Sequence, residues 1–504
     1  MVSVQNYEIE AAWHYHNGTK HPNGMLLNRF HVYHPSHRPV PYKIYKNISQ
    51  VNIPLDKTPV GISALVAISR ENNYSHTILD LWVLGRILYF SSGITKKIKF
   101  QGLGEMDFRA ASCTGALYHI EIYIICNDIP GLGAGVYHFD PKHMKLDTIR
   151  LGDFRKFISS ATAEEQSTSQ ATAILVFTDV FSRNSIKYQS REYRHAFWDS
   201  GTILANTLAI TSAHKIYSKI ITGFVDSKIC QLLGLNITEE APIVIVSIGQ
   251  TVQEAPTCPP LQEINMDVAS SDYDIEYPEI NAIHESSCLL TEAEVTSWRR
   301  QITSEEKYSA KLIPLGKNIA VQEPLEKTII RRGSTRKFSP EPITLDQLST
   351  ILNQTTSKTN TDFTSQGSLS DIYIIANAVD GLESGSYYFV KEKNSLEQLR
   401  KGNFRHASGN LGLDQDLPHD ASVTIFLLSN LDKILRHFGN RGYRVAQLDA
   451  AITGGKMYLA SYALGLGATG LTFYDDLVIN FFSPHAENKE TMFLMAIGKK
   501  EKPT

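Results

Sequence analysis

Three short segments of this 504-residue chain bring together side chains that can do chemistry. The first is Arg331-Arg332-Gly333-Ser334-Thr335-Arg336-Lys337-Phe338. Its three guanidiniums and two hydroxyls fall within six residues, which makes a compact anion trap. Arginine offers paired N–H donors to a phosphate, and serine adds a short hydroxyl donor. On composition alone, a charged loop ahead of a helix accounts for the segment better than a ligand site does. The second segment, Gly465-Leu466-Gly467-Ala468-Thr469-Gly470, matches GxGxxG. That pattern binds a dinucleotide where it follows a strand and opens a helix. Here it ends a helical stretch, with Gly465 as a plausible C-cap, and runs into Leu471-Thr472-Phe473-Tyr474, so the dinucleotide reading is set aside. The third is Lys187-Tyr188. An amine or phenol whose pKa is lowered can take a proton from a substrate. The same dipeptide is also common on ordinary protein surfaces.

The elements that must position these groups come in two copies. Ile122–Arg155 aligns without gaps on Ile372–Arg405 at an offset of 250, with fifteen of thirty-four positions identical. The offset also matches Tyr193, Arg194, Ala196 and Asp199 to Tyr443, Arg444, Ala446 and Asp449. So long a period indicates a duplicated domain and not a solenoid. Each copy reads as α+β. Strands are predicted at Ile122–Cys126, Val136–Phe139, Ala173–Phe177 and Pro242–Ile248, and again at Ile372–Ala376, Ser386–Phe389, Val423–Leu428 and Thr491–Ile497. A long helix is predicted at Glu192–His214 and at Tyr443–Leu464. In the second helix Ala446, Ala450, Gly454, Met457, Ser461 and Leu464 form a stripe suited to close helix packing. A further helix is expected to begin at Leu345, with Thr344 as its N-cap.

Boundaries follow: an N-terminal extension with the start of the first copy at 1–95, the first copy at 96–250, an acidic linker at 251–325, and the second copy at 326–504. Residues 251–300 carry ten acidic and two basic side chains, which suggests a solvated and partly irregular segment. The net charge of -3 offers no basic excess for nucleic acid. No apolar run reaches the length of a membrane helix, and the N-terminus lacks a signal peptide's apolar core. The five cysteines form no CxxC pair and fit a reducing cytosol. His14, His16, His21, His31, His34 and His37 cluster in the extension, but without carboxylate or thiolate partners in pattern they predict no metal site.

Read together, these segments resemble the nitroreductase superfamily, and most of all its SagB-type thiazoline/oxazoline dehydrogenases. Arg-Arg-Gly-Ser-Thr-Arg-Lys-Phe before a Pro-Ile-Thr helix is similar to the FMN-phosphate segment that opens the nitroreductase fold. The resemblance implies that Arg332, Ser334 and Arg336 contact FMN, with Gly333 passing close by. It assigns Gly470 and Leu471 to a glycine-rich turn whose N–H groups approach the flavin near N5. Lys499 and Lys500 resemble the basic pair that closes on the FMN phosphate, although a solvated tail accounts for them nearly as well. In the first copy, Arg109 to Glu121 resembles R-x-x-P-S-x-G-A-L-Y-P-x-E, a segment that reaches the flavin from the partner subunit. Cys113, Thr114, Gly115, Ala116 and Leu117 are its contact residues, and Ser112, Cys113 and His119 depart from the pattern. The Lys-Tyr pair before Tyr193-Arg194 resembles the catalytic pair of the SagB type, making Lys187 and Tyr188 the catalytic candidates.

The resemblance therefore implies two fused nitroreductase-like domains forming an internal pseudo-dimer. It implies an FMN-dependent oxidoreductase that moves a hydride between an azoline-like, heterocyclic or peptidic substrate and flavin N5. An NAD(P)H-dependent nitro or quinone reductase and a non-catalytic scaffold are the alternatives. The expected partners are a small molecule or peptide, with neither nucleic acid nor membrane. The losses in the two copies are complementary. The second copy keeps Arg332, Ser334 and Arg336 but has His437-Phe438 where the Lys-Tyr pair would stand. The first copy keeps the partner-type loop and Lys187-Tyr188 but no Arg-x-Ser-x-Arg, so one FMN per chain is expected.

Overall fold

A computed structural model of the chain describes residues 5–22, 38–71, 77–100, 104–252, 254–264, 266–268, 276–299, 302, 311–365 and 367–501. Two seven-stranded sheets are present among the described residues, and their strand orders are the same. In the first, Ile120–Cys126 lies between Gly135–Asp140 and Ala173–Val180, and Glu240–Ile248 follows. In the second, Asp371–Ala376 lies between Gly385–Val390 and Val423–Ser429, and Glu490–Gly498 follows. These are the strands expected from the repeat, each extended by one to three residues. Ile120–Cys126 is buried along its whole length, because strands flank it on both sides and both faces are covered. No described helix is long and apolar enough to cross a membrane.

The long helices are Glu192–Ala213 and Arg441–Ala463. Nearly every residue of each is buried, so neither shows the one-sided apolar stripe of a surface helix. They pack on each other where glycine leaves room. A Cβ placed on Gly201 would sit 2.5 Å from Ala451 Cβ, and one on Gly455 would sit 2.6 Å from Ala205 Cβ. Residues 201 and 451, and 205 and 455, are equivalents in the repeat. Each touches its own counterpart, which is what a two-fold axis between the copies requires. The small-residue stripe is rotated from this contact: Gly454 meets Phe493 of the sheet instead. Periodicity cannot tell one neighbour from another on a helix buried on all sides.

The repeated Tyr-Arg has a shared role in this interface. Arg194 of the first copy pairs with Asp475 of the second at 2.6 Å, and Arg444 of the second pairs with Asp226 of the first at 2.7 Å. Arg441 also reaches Asp226, at 2.7 Å. Burial would raise the Asp226 pKa, but the Arg441 and Arg444 charges hold it at about 2. Asp226→Asn leaves two buried guanidiniums without their anion, and we expect it to cost about 3–5 kcal/mol in urea unfolding. This carboxylate's contribution is complete above the ordinary aspartate range and fades as the pH falls through its folded pKa.

Three features differ from the sequence expectations. The acidic segment contains helices Pro278–Ser286 and Glu292–Trp298, whose Ile280, Ile283, Val295 and Trp298 are buried, so it is not solvated throughout. Exposed Glu279 and Glu285 on the first of these helices masked its apolar side. The glycine-rich segment is strand Gly467–Leu471 at the sheet edge and not a turn, with Gly465 at φ +77° closing the helix before it. A hairpin, Ile94–Phe100 and Gly104–Arg109, leads into the loop that begins at Arg109. The expected Thr344 cap is present as a full capping box with Gln347.

Candidate functional site

The site is built from the loop of the first copy upward. Cys113 to Tyr118 make a tight turn in which Gly115, Ala116 and Tyr118 all have left-handed backbone, at φ 62°, 52° and 52°. Only glycine adopts this without strain, so the other two must be held by their surroundings. The holder is Asp199, on the long helix. Its carboxylate accepts from Thr114 N at 2.8 Å, Thr114 Oγ1 at 2.9 Å and Cys113 Sγ at 3.0 Å. In the second copy Asp449 does the same for Ser368 Oγ and Leu369 N, at 2.6 and 2.8 Å. Thus Cys113 and Thr114 belong to the loop, but their side chains turn inward to Asp199. Burial and the Asp199 charge push the Cys113 thiol pKa well up, so it is a structural thiol and not a thiolate.

The cationic segment of the second copy meets this loop. Arg332 Nε donates to Ala110 O at 3.0 Å, and Nη2 donates to Arg109 O at 3.2 Å. Its guanidinium lies 5.6 Å from the Tyr458 ring. Ser334 Oγ is 3.1 Å from Tyr458 Oη, and the same hydroxyl accepts from Gly470 N at 2.6 Å. Thr335 N donates to Ala468 O, which lays the segment along the Gly467–Leu471 strand. Gly333 and Leu471 are half-buried there.

Lys187 and Tyr188 end the short helix Phe181–Tyr188 and arrive from the other side. A Cβ on Gly115 would lie 2.9 Å from Tyr188 Oη, so the glycine is needed for this approach. The Lys187 ammonium stands 5.0 Å from the Tyr188 ring. Burial, then the Arg38 and Arg336 charges, lower the Lys187 pKa. Burial and the neighbouring Asp199 and Cys113 raise that of Tyr188. A lowered pKa is therefore found at Lys187 and not at Tyr188, whose phenol stays protonated at neutral pH.

Two residues of this cluster carried no sequence signal. Arg38, from the extension, donates to Ala116 O and contacts Met106 Sδ. Tyr458 lies one helix away from the segment that it organises. Arg38, Arg332 and Arg336 form no ion pair with any described carboxylate, and the nearby Asp199 carboxylate is taken up by Thr114 and Cys113 of the loop. Lys500 lies near one edge, its ammonium 4.8 Å from the Tyr462 ring, with its pKa lowered by burial and Arg331. Lys499 instead pairs with Glu341 at 2.9 Å on an exposed face. Among the extension's histidines, His16 is buried against Glu490 at 3.0 Å, while His31, His34 and His37 lie outside the described residues.

The equivalent position in the second copy is closed. Phe438, in the place of Tyr188, is fully buried and packs in a tilted contact against Trp298 of the linker, ring centroids 5.0 Å apart. Trp298 Nε1 donates to Phe438 O at 2.9 Å.

Known proteins bear on this arrangement. The model of the nitroreductase family matches residues 118–250 and 329–499, more than half of the chain. The chain is 26% identical over 183 residues to the nitroreductase MJ1384 of Methanocaldococcus jannaschii, covering 35% of this chain and 91% of that one. It is 28% identical over 159 residues to the trifolitoxin-processing protein TfxB of Rhizobium leguminosarum bv. trifolii, covering 31% of this chain and 43% of that one. It is 23% identical over 140 residues to the microcin B17-processing protein McbC of Escherichia coli, covering 27% of this chain and 52% of that one. A crystal structure described as a nitroreductase from Anabaena variabilis superposes with a TM-score of 0.78 at 23% identity, over 97% of this chain and 99% of that one, and so shares the whole tandem fold. With two matched regions, two sheets of one strand order and a repeated interface, this chain belongs to the nitroreductase family.

Proposed function

We propose that this protein is an FMN-dependent oxidoreductase with one flavin site, built between the cationic segment of the second copy and the loop of the first. The observation that carries this is the meeting of Arg332 with Arg109 and Ala110, beside Lys187, Tyr188 and Gly115. Cations without carboxylate partners fit a bound phosphate, which would supply the missing charge. Arg332, Ser334 and Arg336 would hold the phosphate, with Gly333 and Lys500 alongside. Gly470 and Leu471, together with the Cys113–Leu117 loop, would border the ring. FMN, when bound, supplies a centre that accepts or donates a hydride. Lys187 takes the proton that leaves the substrate as the hydride departs, and Tyr188 donates a hydrogen bond beside it.

As substrate we propose an azoline-like ring on a peptide, oxidised by loss of a hydride and a proton. The similarity to TfxB and McbC, each named for processing a trifolitoxin or microcin, supports this reading. The similarity to MJ1384, named a nitroreductase, favours a second reading, reduction of nitro compounds or quinones by NAD(P)H. All five cysteines are free, which supports a reducing compartment. One absorbance spectrum separates the readings. Flavin bands that an azoline-bearing peptide bleaches anaerobically, and NAD(P)H does not, are expected. A colourless folded protein would remove both enzymatic readings.

A further inference from the structure

Beneath the loop of the first copy lies a buried cluster that the proposed chemistry does not use. His119 follows the loop, Asp179 lies at the end of strand Ala173–Val180, and Glu192 opens the long helix. His119 Nδ1 is 2.6 Å from Asp179 Oδ1 and 3.3 Å from Glu192 Oε1, and the three donor atoms lie within 4.8 Å of one another. All three side chains are 0% exposed. Asp179 Oδ2 and Glu192 Oε2 are buried without a hydrogen-bond partner, and no described Lys or Arg pairs with either residue. With Asp199 on the far side of the ring, three carboxylates surround this one imidazole, and buried carboxylates are disfavoured unless paired or bound to metal.

The other side of the ring is prepared as well. His119 Nε2 lies 2.8 Å from Asp199 Oδ2, and Asp199 is itself fixed by Thr114. A metal-bound histidine whose second nitrogen is held by a carboxylate has its tautomer and orientation set. The repeat adds an independent observation. The counterparts of His119, Asp179 and Glu192 in the second copy are Leu369, Ser429 and Gly442, so all three donors are absent there together. Asp199, whose loop-holding task both copies share, keeps its counterpart Asp449. The donors of the first copy thus serve something that the second copy lacks.

We propose that His119 Nδ1, Asp179 and Glu192 hold one divalent metal ion of the class that accepts an imidazole and two carboxylates, zinc or manganese. The ion ties the end of the loop, the end of a sheet strand and the start of the long helix at one point. The test uses the full chain, dialysed against a chelator and then offered Zn²⁺ or Mn²⁺. Metal content after desalting and the thermal melt are read together. About one ion per chain and a raised melting temperature are expected, as for a site that binds only the folded state. Asp179→Asn and Glu192→Gln should abolish both effects, and Asp199→Asn should weaken metal affinity about 10–100-fold. A folded wild type that retains neither ion, with Glu192→Gln melting at or above it, would overturn the proposal and leave a shared proton in the cluster. If the variants do not fold, the metal content and melt shift of the wild type decide alone.

Discussion

Lys187→Met is expected to slow substrate oxidation by about 10²–10⁴-fold, the usual contribution of a positioned acid or base, while the flavin stays bound. The lysine is set apart by its surroundings. It is partly buried and faces Arg38 and Arg336, and burial and like charge both favour the neutral amine. A neutral amine is a base. The rate should therefore rise with pH as Lys187 loses its proton, at a pH below the ordinary lysine range. In Lys187→Met this limb of the profile disappears. Tyr188→Phe should also slow the reaction but keep the limb, because the phenol's raised pKa leaves it protonated across that range. Single-turnover flavin reduction, followed by absorbance across pH, reads all three features. An unchanged rate and profile in Lys187→Met would show that the pair only packs against Gly115.

Arg332→Ala combined with Arg336→Ala is expected to strip the protein of flavin while its far-UV spectrum stays native. Each loss removes charge-assisted contacts worth about 1.5–3 kcal/mol, so the pair weakens binding by about two to four orders of magnitude. Wild-type protein is expected to carry one FMN per chain. A second flavin would need the loop of the second copy, where Phe438 is buried under Trp298, and a cationic segment in the first copy. No Arg-x-Ser-x-Arg occurs in residues 1–250 of the sequence. Flavin released by denaturation and quantified against protein tests the ratio. A value near two, or full retention of flavin in the double variant, would mean that the phosphate sits elsewhere.

Much of the proposed site is legible as local sequence pattern, for different reasons at different residues. Arg332, Ser334 and Arg336 stand within five residues, so their clustering needs no tertiary information. Gly115 is legible as glycine in a turn, and the left-handed backbone there bears this out. Lys499 and Lys500 show the limit of such reading. Neighbours in sequence at the end of a strand diverge in space, one to Glu341 and one to Tyr462. Arg38 and Tyr458 belong to no motif, and the residues they meet, Ala116 and Ser334, lie 78 and 124 positions away. The acidic linker misled through its composition: ten carboxylates predict solvation, yet two helices within it bury Ile283 and Trp298.

By itself the sequence determined the duplication, the strands and helices of each copy, and the cationic segment, the loop and the Lys-Tyr pair as separate pieces. These are properties of local pattern and of identity at a fixed offset, which the chain carries wherever it folds. The resemblance already paired the cationic segment of the second copy with the loop of the first, and the tertiary structure decided through which atoms they meet. The two-fold axis runs where Gly201 faces Ala451 and Ala205 faces Gly455, and that contact brings Arg332 of one copy to Ala110 of the other, 222 residues away. It also set Asp199 beneath the loop and closed Phe438 under Trp298. Each of these depends on backbone approach and side-chain volume between segments far apart in sequence, and no spacing along the chain records them.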